Sequence, residues 1–322
     1  MKSFFDLLIT ILLSITALPA VILLYSRKKR KNSWEYKYQK ISLAIASFLL
    51  LGTMTVSYGS FIEPQLLVTT KYEIDLPEIE EPIKIAFIAD LQLGKYKGGV
   101  WMKKVADKTL KLNPDLILLG GDQIDNENYD FAELEYLQPL EKLAKQIPTY
   151  AVHGNHEYGV SCYYGINETC AQAGDMSKET REAMENLGVI YLVNNLEKIT
   201  VNSSSFYLFG GDSYWTKKLN YSVLAEKTDN IPTIALIHNP AFIFNKFPKF
   251  DLVLSGHTHG GQVRLPFIGP VARVDNILSS KHYQGLHNLN TNTKLLVTSG
   301  AGETGTRARL FNPPEIILLT IK

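Results

Sequence analysis

Two stretches decide the fold: Ile83-Lys-Ile-Ala-Phe-Ile-Ala-Asp-Leu-Gln92 and Leu116-Ile-Leu-Leu-Gly-Gly-Asp-Gln-Ile-Asp125. Each begins with a short apolar run of strand length and continues into polar, acidic residues. Between them, Val100 to Lys111 has the apolar spacing of a helix. The two stretches therefore predict a β-α-β unit with a carboxylate beyond the end of each strand.

The same alternation continues to the end of the chain. Predicted helices cover Phe131 to Lys145 and Lys178 to Leu187. Further strands are predicted at Thr149 to Val152, Val189 to Val193, Phe206 to Phe209, Thr233 to Ile237, Leu252 to Leu254, Leu295 to Thr298 and Glu315 to Ile321. This order predicts an α/β fold, with antiparallel pairs added near residues 196 to 209.

Residues of the metal-binding type follow five of the predicted strands. They are Asp90, Asp122, Asn155, His238 and the pair His257 and His259. Any one of them alone is more typical of a turn, a helix cap or a packed histidine. Because ligand sites in open α/β sheets lie beyond the carboxyl ends of the strands, the whole set predicts one shared site.

Taken in chain order, the five motifs resemble those of the calcineurin-like metallophosphoesterases. The motifs are Asp90-Leu-Gln92, Gly121-Asp-Gln-Ile-Asp125, Gly154-Asn-His-Glu157, His238 and Gly256-His-Thr-His259. The resemblance covers about residues 83 to 322 and implies the α/β/β/α sandwich of that family. Gly256 to Gln262 and Arg309 to Ile316 are similar to its bacterial membrane-associated branch, some members of which cleave the diphosphate of UDP-2,3-diacylglucosamine.

The resemblance also implies a role for each residue of the set. Asp122 would bridge two divalent metal ions. Asp90 and His259 would complete the ligands of the first ion. The second ion would be held by Asn155, His238 and His257. These donors suit Mn²⁺ best, and also Fe²⁺, Zn²⁺ or Mg²⁺. Two ions about 3.5–4 Å apart can hold a bridging hydroxide for in-line attack on phosphorus.

His156 is the predicted catalytic residue beside the metals, where it would protonate the leaving oxygen or stabilise the transition state. Gln92 departs from the family pattern, in which a histidine supplies a further ligand. A glutamine offers only its amide oxygen, so we expect a weaker first site that favours harder ions. Asp125 is either a carboxylate that orients a ligand or an ordinary turn residue.

Two basic residues follow the motifs closely enough to reach a substrate phosphate. Lys95 and Arg264 are the candidates, although a solvated loop charge is the commoner role for such residues. His153 lies next to the motif of residues 154 to 157 but is outside the family set. The alternation along its strand predicts a packed histidine.

The first 62 residues predict a pair of membrane helices. Phe4 to Tyr25 and Ile41 to Ile62 are apolar and long enough to cross a bilayer core of roughly 30 Å. The loop between them carries the basic run 26–31, which should be cytoplasmic. Both ends of the hairpin, and all that follows, would then be extracytoplasmic. A cleaved signal peptide is the alternative, but its basic residues would precede the apolar run rather than follow it.

These patterns divide the chain into three parts. Residues 1–62 form the membrane hairpin with its basic cytoplasmic loop, residues 63–82 a polar linker and residues 83–322 the catalytic domain. The net charge of the 322 residues is +1, which does not favour a nucleic-acid partner. Cys162 and Cys170 either close a small disulfide ring or remain as two free thiols.

The predicted function is therefore hydrolysis of a phosphate monoester, diester or diphosphate ester by a membrane-anchored enzyme. The partners would be the lipid bilayer and a phosphoester, with a lipid-linked phosphate or a nucleotide sugar as candidates. UDP-2,3-diacylglucosamine diphosphatase is an alternative, although a cytoplasmic nucleotide sugar conflicts with an extracytoplasmic domain. A second alternative is a non-catalytic membrane receptor that retains the fold.

Overall fold

The computed structural model describes residues 2–162, 170–271, 274–275 and 277–322. Its α-helices are α1 (Lys2–Lys29), α2 (Trp34–Lys37), α3 (Gln39–Ser57), α4 (Gly99–Lys111), α5 (Leu140–Ala144) and α6 (Ser177–Asn186). Its strands are β1 (Val68–Ile74), β2 (Ile83–Ile88), β3 (Leu116–Leu119), β4 (Thr149–Ala151), β5 (Val160–Cys162), β6 (Cys170–Gln172), β7 (Ile190–Tyr191), β8 (Asn195–Val201), β9 (Ser204–Gly210), β10 (Thr233–Leu236), β11 (Leu252–Ser255), β12 (Arg264–Leu265), β13 (Gly269–Pro270), β14 (Gly285–Asn288), β15 (Lys294–Val297) and β16 (Glu315–Ile321).

The strands form two six-stranded sheets and two small ribbons. The first sheet has the order β1-β16-β2-β3-β4-β7 and the second the order β14-β15-β11-β10-β9-β8. Strands β2, β3, β4 and β7 run parallel, as do β9, β10, β11 and β15. Parallel strands place their carboxyl ends at one edge, and in each sheet this edge carries the motif residues.

The two sheets pack face to face over the central apolar core. Phe87 and Leu118 of the first sheet share this core with Phe206, Leu236 and Leu254 of the second. Helices α4, α5 and α6 cover the outer face of the first sheet. Short 3₁₀ turns cover the outer face of the second, with Phe242 and its neighbours as the apolar contacts. The predicted α/β/β/α sandwich is confirmed, with a thin outer layer over its second sheet.

Helices α1 and α3 pack against each other as an antiparallel hairpin. The Thr53 hydroxyl donates a hydrogen bond to Thr16 Oγ1 at 2.9 Å, and Ser42 donates to the Leu23 carbonyl at 3.5 Å. Two helical segments of the described chain, Phe5–Lys29 and Gln39–Gln65, are long and apolar enough to cross a membrane. Most of their side chains face outward rather than into a protein core, as an apolar surrounding requires.

The structure corrects the predicted elements at three places. Strand β1 lies inside the predicted linker and pairs along its whole length with β16. The second apolar helix continues past residue 62 through a π turn and a 3₁₀ turn to Gln65. Residues 131–145 form a 3₁₀ segment and the short helix α5 instead of one long helix. The boundaries between the three proposed parts of the chain stay a prediction.

The disulfide predicted between Cys162 and Cys170 concerns residues whose backbones alone are described. The backbones of Cys162 and Cys170 are antiparallel partners in the ribbon of β5 and β6. Their side chains lie outside the described part of the chain, as do residues 163–169. The proposed disulfide stays a prediction.

Candidate metal centre

The motif residues meet at the carboxyl edge of the two sheets. Asp90 and Asp122 follow β2 and β3, and His257 and His259 follow β11. All four have left-handed backbone angles, with φ of 54°, 54°, 69° and 49°. Such angles cost free energy for residues other than glycine and are concentrated at functional sites. The chain turns sharply after each strand, and these turns direct the side chains to one point.

Two overlapping groups of ligand-type atoms lie at this point, all within 4.8 Å of one another in each group. One comprises Asp122, His238 and His257, and the other comprises Asp90, Asp122 and His259. Every member is buried. Asp122 belongs to both groups, so its carboxylate lies between two potential metal positions.

Backbone carbonyls fix the orientation of two histidines. His238 Nδ1 lies 2.7 Å from the Gly120 carbonyl oxygen, and His259 Nδ1 lies 3.2 Å from that of Gly302. A carbonyl can only accept, so Nδ1 carries the proton in both rings and each Nε2 presents a lone pair to the centre. That Nε2 is 3.1 Å from Asp122 Oδ2 for His238 and 3.9 Å from Asp90 Oδ1 for His259.

Asn155 and His257 complete the second group. Asn155 Nδ2 donates to the Val160 carbonyl at 2.6 Å, which turns Oδ1 inward to a position 2.9 Å from His257 Nδ1. The Trp215 ring meets the His257 ring edge to face, with 4.3 Å between centroids. Trp215 therefore closes one side of the centre.

Several buried atoms of the centre have no hydrogen-bond partner within the described part of the chain. They include Asp90 Oδ2 and His238 Nε2. Leaving such atoms buried and unsatisfied costs about 1–3 kcal/mol each. The Nε2 lone pair of His238 also faces the Asp122 carboxylate, and two acceptors 3.1 Å apart require a proton or a cation between them. The donor set therefore fits divalent metal ions.

Comparison with known proteins agrees with this geometry. The family model described as Calcineurin-like phosphoesterase matches residues 83–261, which is more than half of the chain. The chain belongs to this family. It is consequently a phosphoester hydrolase, and the family characteristically uses two divalent metal ions.

Three bacterial relatives illustrate the match. An uncharacterized metallophosphoesterase of Campylobacter jejuni is 31% identical over 78% of this chain, and the chain spans 62% of the length of that protein. The uncharacterized metallophosphoesterase YkuE of Bacillus subtilis is 28% identical over 87% of this chain and 94% of its own. Phosphodiesterase YaeI of Escherichia coli is 30% identical over 74% of this chain and 82% of its own.

His156 lies beside the metallophosphoesterase centre rather than in it. Its backbone N–H donates to Asp122 Oδ1 at 2.8 Å, and its Nδ1 donates to the Asp125 carbonyl at 2.6 Å. Nε2 is thereby directed away from Asp125, 3.5 Å from Thr304 Oγ1 and 3.9 Å from Asp122 Oδ2. Asp125 thus orients His156 through its backbone oxygen.

Gln92 occupies the place predicted for an additional ligand. Its Nε2 donates to Asp122 Oδ2 at 3.0 Å. Rotating the amide by half a turn would exchange its nitrogen and oxygen at the same position. The side chain can therefore either support the shared carboxylate or present its oxygen to the first metal position.

The two carboxylates of the centre differ in pKa. Burial raises the pKa of Asp90 to about 7. Burial also acts to raise the pKa of Asp122, but His238 and His156 outweigh it and hold that pKa below its usual range. Burial lowers the pKa of His259 to about 3, so its ring is neutral. An ionised carboxylate shared by two groups of ligands, with neutral imidazole rings beside it, suits divalent cations, and a bound cation would displace the proton from His238.

Two positioning residues were missed by the sequence analysis. Glu157 is fully buried and accepts hydrogen bonds from the backbone N–H groups of Asp122, Gln123 and Gly154, which fixes two motif loops together. The signal was present, because Glu157 ends the motif that contains Asn155.

Arg309 is the second missed residue, and it is also fully buried. Its guanidinium donates to the carbonyls of Ser299, Gly300 and Gly302, and Gly302 in turn accepts from His259. It also pairs with Glu303 at 3.1 Å. The resemblance of Arg309 to Ile316 to the membrane-associated branch gave no role to this arginine.

The remaining candidates lie around the centre with different contacts. Arg264 Nη1 donates to the Gly260 carbonyl at 2.7 Å, so this side chain braces the loop after His259. Lys95 is exposed, and its part in substrate binding stays a prediction. His153 is packed as predicted, 3.0 Å from the Tyr191 hydroxyl, and burial lowers its pKa to about 3.

Proposed function

We propose that this chain is a membrane-anchored phosphoesterase with a two-metal centre, acting on a phosphodiester or diphosphate ester at the membrane surface. The observation that carries the proposal is the Asp122 carboxylate, shared by two groups of buried ligands. Asp90, Asp122 and His259 would hold the first ion. Asp122, Asn155, His238 and His257 would hold the second.

The ions would polarise the phosphoryl oxygens and lower the pKa of bound water. Mn²⁺ suits the mixture of carboxylate, amide and imidazole donors. The chain itself contributes a preformed and rigid set of ligands, because each side chain is fixed by a hydrogen bond to backbone or to another ligand. Such preorganisation avoids reorientation during the reaction.

His156 would protonate the leaving oxygen. Since Nδ1 already donates to a backbone carbonyl, only Nε2 faces the open side, where a substrate oxygen would lie. Burial acts to lower the pKa of His156, but Asp122 and Asp125 outweigh it and raise that pKa. A raised pKa favours the protonated ring that a general acid requires.

The end of the second apolar helix is hydrogen-bonded to residues that support the first metal position. Glu63 accepts from the backbone N–H groups of Phe311 and Asn312 at 3.0 and 2.5 Å. Asn312 Nδ2 then donates to the His259 carbonyl at 2.7 Å. The metal centre is thus two hydrogen-bonded steps from the helix, which supports a substrate that approaches from the membrane.

A groove along this contact supports a lipid-linked substrate. It is lined by residues from the helix end and from the loops around the centre: Ser60, Phe61, Pro64, Tyr96, Lys97 and Arg307. A narrow adjoining hollow shares Tyr96, Lys97, Glu303 and Arg307 with the groove and is also lined by Gln92, Asp125, Glu127 and Gly305. The groove supports approach of a lipid-linked phosphate from the bilayer side, and the side chains of the hollow would have to move to admit it to the centre.

The catalytic test uses the purified full chain in detergent with Mn²⁺ and bis(p-nitrophenyl) phosphate. We expect turnover that Asp122→Ala abolishes and that Asp229→Asn, at an exposed ion pair with Lys198, leaves unchanged. Turnover that survives Asp122→Ala would exclude this centre as the site of hydrolysis. A chain without turnover under any divalent ion would restore the receptor alternative.

The substrate test compares membrane lipids and phosphate esters by mass spectrometry in cells that carry either the wild-type chain or Asp122→Asn. A lipid phosphoester should accumulate with the variant. Accumulation of water-soluble esters alone would contradict the lipid-linked substrate while leaving the chemistry intact.

The topology test is a reporter fused after Lys322. The basic loop between α1 and α3 supports a cytoplasmic loop and an extracytoplasmic catalytic domain. We expect activity from a reporter that functions only outside the cytoplasm. Activity only from a cytoplasmic reporter would reverse the orientation and favour a nucleotide-sugar substrate such as UDP-2,3-diacylglucosamine.

A further inference from the structure

An exposed apolar tip lies next to the end of the membrane hairpin. It consists of the turn between β12 and β13 together with Val271 and Phe311, and we call residues 265–271 plus Phe311 the apolar tip. Phe267 is fully exposed, and Ile268, Val271 and Phe311 are 71%, 59% and 62% exposed. Single exposed apolar residues are ordinary, but a contiguous group marks a surface that contacts something apolar.

The backbone of the tip holds these side chains outward. Strands β12 and β13 pair antiparallel, and the Ile268 N–H donates to the Leu265 carbonyl at 3.2 Å. Phe267 itself has a left-handed φ of 65°, which is strained for a bulky side chain. In water this turn would carry two free-energy costs, the strained backbone of Phe267 and the exposure of its apolar ring.

Hydrogen bonds connect the tip to the end of the second apolar helix. The Arg264 N–H donates to the Leu310 carbonyl at 2.9 Å, and the Arg309 N–H donates to the Gly59 carbonyl at 2.8 Å. Gly59 allows this close approach, because a Cβ at that position would lie 3.1 Å from the Arg309 carbonyl oxygen. The tip therefore has a fixed position relative to the helix.

The helix end presents apolar side chains of its own beside the tip. Phe61, Ile62 and Leu66 are 52%, 51% and 44% exposed, and Phe61 and Ile62 continue the apolar surface of the proposed membrane helix. Two cationic side chains, Arg264 and Lys281, lie in the groove beside the tip. Apolar side chains flanked by cations match an interface of acyl chains and headgroup phosphates.

We propose that the apolar tip inserts into the surface of the bilayer that α1 and α3 cross, as a third membrane contact of the chain. This inference rests on the membrane anchoring put forward above and adds the orientation of the domain. A hairpin alone leaves the domain free to tilt. Contact at the tip, which follows His259 in the chain, would hold the open side of the metal centre at a constant height above the lipid.

The test measures the environment of Ile268 in the full chain reconstituted into vesicles of phosphatidylethanolamine and phosphatidylglycerol. Ile268→Cys carries a nitroxide in a Cys162→Ala/Cys170→Ala background. Collisions with oxygen, which concentrates in lipid, are compared with those of a water-soluble nickel chelate. The matched control is Ile190→Cys, which is 45% exposed and lies on β7, the opposite edge of the first sheet from β1.

We expect the ratio of oxygen to nickel collisions to be severalfold higher at Ile268 than at Ile190. Phe311→Cys should behave like Ile268, which provides a second position if either substitution impairs folding, and turnover of bis(p-nitrophenyl) phosphate identifies the folded variants. Equal ratios at Ile268 and Ile190 would overturn the proposal. Protection from both reagents would also overturn it, because it would indicate a protein partner.

The same preparation separates this inference from the proposed function. Alkaline carbonate extracts peripheral proteins from vesicles but leaves helices that span the bilayer in place. Loss of the full chain under carbonate would contradict the anchoring, and with it the inference. A chain that resists carbonate but keeps Ile268 accessible to nickel would overturn only the inserted tip.

Discussion

The two halves of the candidate metal centre share Asp122 but are supported by different parts of the chain. His238 is held by Gly120, directly after β3 of the first sheet, and Asn155 by Val160 in the ribbon of β5 and β6. Around His259, the supports are Gly302 and Asn312, which lead through Arg309 and Glu63 to the second apolar helix. The half that carries Gln92 is also the half connected to the second apolar helix.

This difference suggests how the two halves would respond to change. The second half has every ligand that the family resemblance implies, and its supports do not involve the second apolar helix. By comparison, the first half has a glutamine in place of a histidine and depends on contacts with the helix end. We therefore expect the first metal position to bind more weakly and to respond to substitutions outside the catalytic sandwich.

The largest loss of activity should follow substitution of Asp122, the ligand that the two halves share. Asp122→Ala should lower kcat/KM for bis(p-nitrophenyl) phosphate by about 10³-fold or more, because both metal positions lose a ligand and the loops lose the contact with His156. Metal content after dialysis should fall at both positions. Loss of only one equivalent would contradict the bridging role.

The next largest effect should come from a residue that belongs to neither half. His156→Ala should lower kcat by about 10²-fold or more with little change in metal content, because the variant lacks the proton donor but keeps every proposed ligand. The falling limb of the pH–rate profile at high pH should disappear. Reduced metal binding would instead assign His156 to the centre itself.

The ligands of both halves could be predicted from the sequence, whereas part of what supports the first half could not. The polar residues of the centre could be predicted because each directly follows an apolar run, and the strand ends bring them together. Strand β1 could not, since Val68 to Ile74 is half exposed and pairs with a strand at the other end of the chain. Arg309 was missed for a similar reason, because its role depends on carbonyl groups that only the fold assembles.

Gln92→His should make the metal affinities of the two halves more alike. A histidine nitrogen in this place should raise the Mn²⁺ affinity of the first position about 10-fold while leaving the second unchanged. Calorimetric titration of metal-free protein would show this as two binding steps drawing closer together. Gln138→His, at an exposed position, is the control. An unchanged affinity at the first position would mean that Gln92 does not face that metal.

Asn312→Ala should have a smaller effect confined to the same half. It removes the donor to the His259 carbonyl, so the first Mn²⁺ affinity should fall severalfold and the second should not change. Asn290→Ala, in a surface turn, controls for general destabilisation. Equal weakening at both positions would contradict separate support of the two halves.

The smallest expected effect concerns the metal-free protein. Burial acts to lower the pKa of His238, but Asp122 and Asp90 outweigh it and raise that pKa to about 9, whereas the unfolded ring titrates near 6.5. The folded state thus keeps a proton that the unfolded chain releases. This stabilisation is complete below pH 6.5 and is lost as the pH rises through 9. Below pH 6.5, neutral buried rings such as His259 act in the opposite direction, and above pH 7 so does Lys97, whose pKa is lowered by burial to about 7. The contribution of His238 is therefore measured between pH 7 and 9 as the difference between the wild type and His238→Gln, which share these other groups.

We therefore expect the Tm of chelator-treated wild-type protein to fall by a few degrees between pH 7 and 9 relative to that of chelator-treated His238→Gln. Saturation of the wild type with Mn²⁺ should remove this relative slope, because a cation then takes the place of the proton between His238 and Asp122. Differential scanning calorimetry of both proteins measures this directly. A slope that persists with Mn²⁺ would place the titrating group elsewhere and leave the second half without evidence that its metal replaces a proton.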